Sequence, residues 1–191
     1  MKRYICAAIR DVSDEPENVQ WDMAHNPATR PDILRTLAKS DDDMVLILLA
    51  NNPNTPKDIV DNILTNGCQN VRETLARSQY SLPEVLTKLA KDRNTFVRQA
   101  IAYNAYTPEK VLDELSHDKE LPVVARVAHN PSTSVDTLLE LSEHFASEIR
   151  CEVAGNPSVP TDILHRLEND FDEYVREAAK NALKVRVRAR R

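Results

Sequence analysis

Aliphatic residues recur along the chain in one phase: Val19, Val45, Val71, Val97, Val123, Ile149 and Val175 stand 26 residues apart. Taking each as position 0, position 4 is Met23, Leu49, Leu75, Ile101, Val127 and Val153. Position 5 is Ala24, Ala50, Ala76, Ala102, Ala128 and Ala154. Positions 0, 4 and 5 share one face of a helix, whereas a strand would send 4 and 5 to opposite sides. Each block therefore predicts a short helix. The unbroken Ala column implies a close backbone approach, because anything larger would overpack it.

Position 7 is Asn26, Asn52, Asn104, Asn130 and Asn156, with Ser78 as the exception, and Pro27, Pro53, Pro131 and Pro157 follow four of them. A residue before proline is pushed out of the α region, so the helix ends there. The Asn amide suits stranded backbone groups at such an end. A buried Asn ladder is the structural reading, and an Asn-lined ligand groove is the functional one.

A second helix follows. Thr29, Thr55, Ser81, Thr107 and Thr133 occupy position 10, read as its N-cap. Prolines at 56, 108 and 160, or at 31 and 83, sit where a missing N–H costs nothing. Asp32, Asp58, Glu84, Asp136 and Asp162 complement the helix dipole. Positions 14, 15 and 18, from Ile33, Leu34 and Leu37 through Ile163, Leu164 and Leu167, make one apolar stripe on a helix of about ten residues.

One such pair cannot bury its own apolar face, and stacked neighbours can, so the expected fold is an all-α solenoid of tandem two-helix repeats. The pattern V-R-x-x-[VIL]-A-x-N-P-x-T-P-x-[DE]-[IV]-L-x-x-L resembles the leucine-rich repeat variant, a HEAT-like all-helical family, over Val19 to about Leu183. That resemblance implies a right-handed superhelix in which an α-helix alternates with a shorter helix, often of 3₁₀ type. One member of the family carries an N-terminal iron–sulfur cluster on clustered cysteines. This chain has only Cys6 near its start, so no cluster is expected.

The expected organisation is an N-terminal cap over 1–18, with Ile5, Ile9 and Val12 as packing residues, then six repeats over 19–174. A capping helix over 175–183 and a basic tail over 184–191 complete it. Lys180 takes the place of the column alanine in the last block, a charge that would block further stacking.

Composition narrows the function. Two glycines, Gly67 and Gly155, exclude a Rossmann fingerprint or P-loop. Cys6, Cys68 and Cys151 are scattered, against a disulfide framework or thiolate metal site. No apolar run suits a membrane helix, and the start lacks a signal-peptide pattern, so a cytoplasmic protein is expected. The net charge of −5 disfavours general nucleic-acid affinity. Val175 to Arg191, however, carries seven Lys and Arg against one Glu.

Candidate sites come from columns that vary. Arg72, Arg98, Arg150 and Arg176 at position 1 read either as ties to acidic loops at Asp92, Asp118 and Asp170 or as a substrate-binding row. Two blocks break the Asn-Pro pattern with Ser78-Gln79-Tyr80-Ser81 and Asn104-Ala105-Tyr106-Thr107. Tyr80 and Tyr106 are expected on adjacent repeats, flanked by Arg77 and Tyr103, and Tyr and Arg are the types enriched at binding hot spots. Covering turns without proline is the alternative reading of these tyrosines. Trp21, Leu46 and Ile47 form a second apolar patch, read as burial under the N-terminal cap or as an interface. His25 and His129 lie four repeats apart and cannot share a metal; His117, His144 and His165 read as solvated. Asp41, Asp42 and Asp43 read as a solvated helix start rather than a cation site.

No catalytic motif is present, so the expectation is a non-enzymatic scaffold for a protein or peptide, with no cofactor or metal. It is expected as a monomer or weakly self-associating. Nucleic-acid binding through the tail, by architectural analogy with HEAT-like DNA glycosylases, is one alternative. An assembly role through the apolar patch is the other.

Overall fold

The computed structural model describes Val12 and residues 15–189. Ile5, Ile9 and Cys6 lie outside the described residues, so the proposed N-terminal cap is represented by Val12, which is buried. The described residues form thirteen helices and no strand. The first helices of the blocks are α1 Glu17–His25, α3 Asp43–Ala50, α5 Gln69–Arg77, α7 Thr95–Tyr103, α9 Leu121–His129, α11 Ser147–Gly155 and α13 Glu173–Ala189. The second helices are α2 Pro31–Leu37, α4 Lys57–Asn66, α6 Pro83–Leu89, α8 Glu109–Ser116, α10 Val135–Leu141 and α12 Thr161–Leu167.

The chain divides into two compact units, Met1–Val85 and Leu86–Arg191. In the first, α1 packs on α3 and α3 on α5, with α2 and α4 against them. In the second, α7, α9, α11 and α13 stack in order, with α8, α10 and α12 alongside. Like helices of successive blocks thus cover one another, as in a tandem helical-repeat solenoid. The repeat columns form the core. Val45, Leu49, Ala50, Val71, Leu75 and Ala76 are buried in the first unit, and Val97, Ile101, Ala102, Val123, Val127 and Ala128 in the second. The apolar stripe of the second helices is buried too, from Leu34 and Leu37 to Ile163, Leu164 and Leu167.

Two local expectations are corrected. The position-10 hydroxyls do not cap the second helix. Thr29, Ser81, Thr107 and Thr133 donate backward to the carbonyls of Met23, Leu75, Ile101 and Val127 at 2.6–2.7 Å, and Thr55 does the same to Leu49. They close the preceding helix, whose last carbonyls lack intrahelical partners. The second helix then begins only after the next residue, which is Pro56, Pro108 or Pro160 in three blocks. It is consequently short: seven residues in α2, α6, α10 and α12, ten in α4 alone. All six are α-helices rather than 3₁₀.

The segment expected as a tail after 183 continues α13 without a break to Ala189. Its alternating Val and Arg would also suit a strand, but extending a formed helix adds a hydrogen bond per residue with no new nucleation. Lys180 is solvent-facing where the other blocks bury alanine.

Candidate functional site

The turns after the first helices are built from the Asn column. Asn156 Nδ2 donates to Ala128 O and Asn130 O at 2.7 and 2.9 Å, and Asn130 Nδ2 to Ala102 O and Asn104 O at 2.7 and 3.0 Å. In the first unit Asn52 makes the same pair to Ala24 O and Asn26 O. Each Oδ1 accepts the amide two residues on, at Asn54, Ser132 and Ser158. This ladder satisfies its own buried polar groups, so the structural reading of the column holds.

A second ladder runs beside it at position 9. Asn54, Ser132 and Ser158 donate to the carbonyls of Pro27, Ala105 and Pro131 at 2.7 Å. Tyr80 and Tyr106 stand in this column, and a phenol is too long to make the same bond. Their rings turn outward, 54 % and 63 % exposed.

The four residues expected to form one site divide between the units: Arg77 and Tyr80 in the first, Tyr103 and Tyr106 in the second. Arg77 is paired within its own helix, Nη2 donating to Glu73 Oε1 at 2.8 Å. Tyr80 borders a crevice of about 70 Å³ with Pro53, Val60 and Leu82, too small for a ligand larger than a few waters.

In the second unit Tyr103 is 54 % exposed, and the Arg126 guanidinium carbon lies 5.6 Å from its ring centroid, a cation–π contact. One block on, His129 Nδ1 lies 3.0 Å from Glu152 Oε2. Position 6 of one block thus meets position 3 of the next, which places Tyr103, Arg126, His129 and Glu152 in one exposed row. Arg126 and Glu152 were missed as candidates. Their column is not regular in residue type, and only the packing of successive first helices brings it to position 6.

Trp21 is 37 % exposed, and its Nε1 donates to Asp42 Oδ2 at 2.8 Å. Asp42 also caps α3, accepting from Met44 N at 2.8 Å. Leu46 and Ile47 are half-buried on the same helix. The acidic run at 41–43 is therefore in structural use, with Asp43 also accepting from the Cys68 thiol at 3.3 Å.

The position-1 arginines tie loops together. Arg98 Nε and Nη2 donate to both oxygens of Asp118 at 2.6 and 3.0 Å, and Nη1 to Asp92 O at 2.9 Å. Arg150 does the same with Asp170 and with His144 O and Phe145 O. The hydrogen bonds from Arg150 hold the Asp170 carboxyl below its ordinary value against the opposing effect of burial. For Asp118, burial pushes upward and the Arg98 bonds overcome it. Burial pushes the Cys151 thiol up, away from thiolate character. Among the described residues no group of three His, Cys, Asp or Glu is placed to hold a metal, and no helix is long and apolar enough to cross a membrane.

No family model matches the chain, and no curated protein sequence does. Among solved structures it is similar to a leucine-rich repeat variant with a novel repetitive protein structural motif. The TM-score is 0.64 at 23 % identity, over 90 % of this chain and 68 % of that one. The resemblance read from the repeat pattern is thereby borne out for the fold. At that identity the likeness speaks to architecture and to nothing bound on it.

Proposed function

We propose that the chain is a non-enzymatic, cytoplasmic scaffold that holds a protein or peptide partner on exposed aromatic positions of its first-helix turns. The observation that carries this reading is the row in the second unit. Tyr103 and Tyr106 are exposed, Arg126 stacks on Tyr103, and none of the three is needed by the core. Such rigid aromatics with an arginine supply contact area at low conformational cost. Arg77 and Tyr80 offer a smaller surface of the same chemistry on the first unit.

The test is capture of a partner from host lysate, identified by mass spectrometry, by the native chain and by Tyr103→Ala with Tyr106→Ala. Loss of a stoichiometric partner with unchanged circular dichroism supports the face. Retained capture removes it. A parallel Arg77→Ala, Tyr80→Ala chain reports on the first unit in the same way.

A second reading, nucleic-acid binding, has one observation of its own. The continuation of α13 aligns Lys180, Lys184 and Arg188 at successive turns of one helix face. Binding that weakens steeply with salt and is lost on deleting residues 184–191 would favour it. Salt-independent capture would exclude it.

A further inference from the structure

Positions 1 and 21 of the blocks vary together. Arg72 goes with Asp92, Arg98 with Asp118 and Arg150 with Asp170; Gln20 goes with Ser40, Leu46 with Asn66 and Val124 with His144. In the second unit the Val124 rung lies between two complete ones. A complete rung holds its guanidinium in three ways. The position-21 carboxylate takes Nε and Nη2; carbonyls of the preceding loop take Nη1; and at Arg150 the Phe171 ring lies beneath, its centroid 4.3 Å from the guanidinium carbon.

At the Val124 rung most of this socket is retained. The equivalent carbonyls are those of Asp118 and Lys119, and no hydrogen bond among the described residues reaches either. The equivalent ring is Phe145, 79 % exposed and tilted against His144 at 4.4 Å. His144 Nδ1 accepts Ala146 N at 3.1 Å, reproducing the loop bond that Asp118 and Asp170 make in their blocks. Valine is shorter than arginine by the whole guanidinium. A cleft of about 520 Å³ opens there, walled by Val124 and Leu141 and by Asp118, Glu140, Glu143 and His144. Three carboxylates line it, each facing a basic side chain: Asp118 is held by Arg98, Glu140 lies 3.1 Å from His117 Nε2, and Glu143 lies 3.6 Å from Arg166 in an exposed pair.

We propose that this cleft binds the arginine side chain of a partner peptide, which completes the rung from outside. The flanking rungs are the template. By analogy with the Arg150 rung, a planar guanidinium would bond the Asp118 and Lys119 carbonyls and lie against Phe145 at the rim. Its remaining N–H groups would compete with His117 for Glu140 and with Arg166 for Glu143 through their exposed pairs. A lysine ammonium has neither the fork nor the stacking face. The Asp118 carboxylate stays with Arg98 and contributes charge alone. The proposal does not rest on the tyrosine row, since Val124 and His129 are five residues apart on α9 and so about 140° apart around the helix.

The test is a titration of the full chain, followed by amide NMR, with the blocked peptide Gly-Arg-Gly and its lysine counterpart. Saturable shifts centred on Lys119, Val124, Glu140 and His144 are expected, with the lysine peptide roughly tenfold weaker, one decade of affinity. The paired change Val124→Arg with His144→Asp fills the rung internally and is expected to abolish the shifts while raising the melting midpoint. Should that chain fail to fold, Glu140→Gln with Glu143→Gln is expected to weaken binding severalfold without altering the helices. Equal binding of the lysine peptide, shifts that persist in the filled or glutamine chain, or no shifts at millimolar peptide overturns the proposal. Tyr103→Ala with Tyr106→Ala is expected to leave this binding unchanged, which separates its failure from failure of the tyrosine face.

Discussion

Arg150 donates through Nε and Nη2 to both carboxylate oxygens of Asp170, at 2.7 and 2.9 Å, with both side chains nearly sealed from solvent. Arg150→Ala leaves that carboxylate buried without its partner and strips the donor from two loop carbonyls. The expected cost is about 3–5 kcal/mol, the range for breaking one side of a buried pair. The control is Arg35→Ala, since the Arg35–Asp58 pair at 3.0 Å is more than half exposed. Solvent screens an exposed pair of this kind, so its loss is expected to move the midpoint little. Urea denaturation of the two variants distinguishes them, and equal midpoint shifts would refute the rung as a structural tie.

The same pair sets an acid dependence. The Asp170 carboxyl titrates below its unfolded value of 3.8, with the Arg150 hydrogen bonds as the main cause. A depressed folded value means the stabilisation is fully present above about pH 4 and is lost as pH falls through the folded value. Urea midpoints from pH 6 down to 2 are expected to fall along an acid limb, and Asp170→Asn is expected to flatten part of it. An unchanged limb in Asp170→Asn would place the acid sensitivity elsewhere.

The Asn ladder predicts a positional gradient. Asn156 donates to two carbonyls of the preceding block and is buried. Asn26 is exposed, and among the described residues its side chain accepts from Ala28 N at 2.9 Å. Asn156→Ala is expected to cost about 2–4 kcal/mol, since leaving a buried acceptor unsatisfied costs about 1–3 kcal/mol. Asn26→Ala is expected to cost less than about 1 kcal/mol. Thermal midpoints that fall equally would sink the distinction between ladder and cap.

What could be read in the sequence was what repeats with it. The Ala and Asn columns and the Arg–Asp rungs were legible because each recurs at one position, and a recurring residue in a stacked array meets its own equivalents. The direction of the Thr hydroxyls was not, because threonine before a helix and threonine after one have the same residue type and neighbours. Arg126 beneath Tyr103 was not legible either. The contact joins different positions of successive blocks, 23 residues apart, and depends on how first helices settle on one another. The helical continuation past Leu183 was hidden by the five Lys and Arg among residues 184–191, which read as a basic tail.

The reassigned hydroxyls give a test of their own. Thr133 Oγ1 donates to Val127 O at 2.6 Å in a buried turn. Thr133→Val keeps the shape and removes the donor, so it is expected to cost about 1–3 kcal/mol for the stranded carbonyl. Thr133→Ser keeps the donor and is expected to cost less. If the hydroxyl served as an N-cap, Ser134→Ala would be nearly silent. Here Ser134 is the residue that accepts Thr137 N, at 3.0 Å, so Ser134→Ala is expected to cost about 1 kcal/mol.

His117 supplies a pH dependence of opposite sign. Its Nδ1 lies 3.0 Å from Asp113 O and its Nε2 lies 3.1 Å from Glu140 Oε1. The Asp113 carbonyl is the main cause that raises its pKa above 6.5, and Glu140 adds to it against burial. A raised folded value means the contribution is complete below about pH 6.5 and disappears as pH rises through the folded value. The side chain is largely exposed, so the effect on stability is small and best read at the residue itself. An NMR titration is expected to place the His117 midpoint above 6.5, and Glu140→Gln to lower it. A midpoint unmoved by Glu140→Gln would leave the Asp113 carbonyl as the sole cause of the shift.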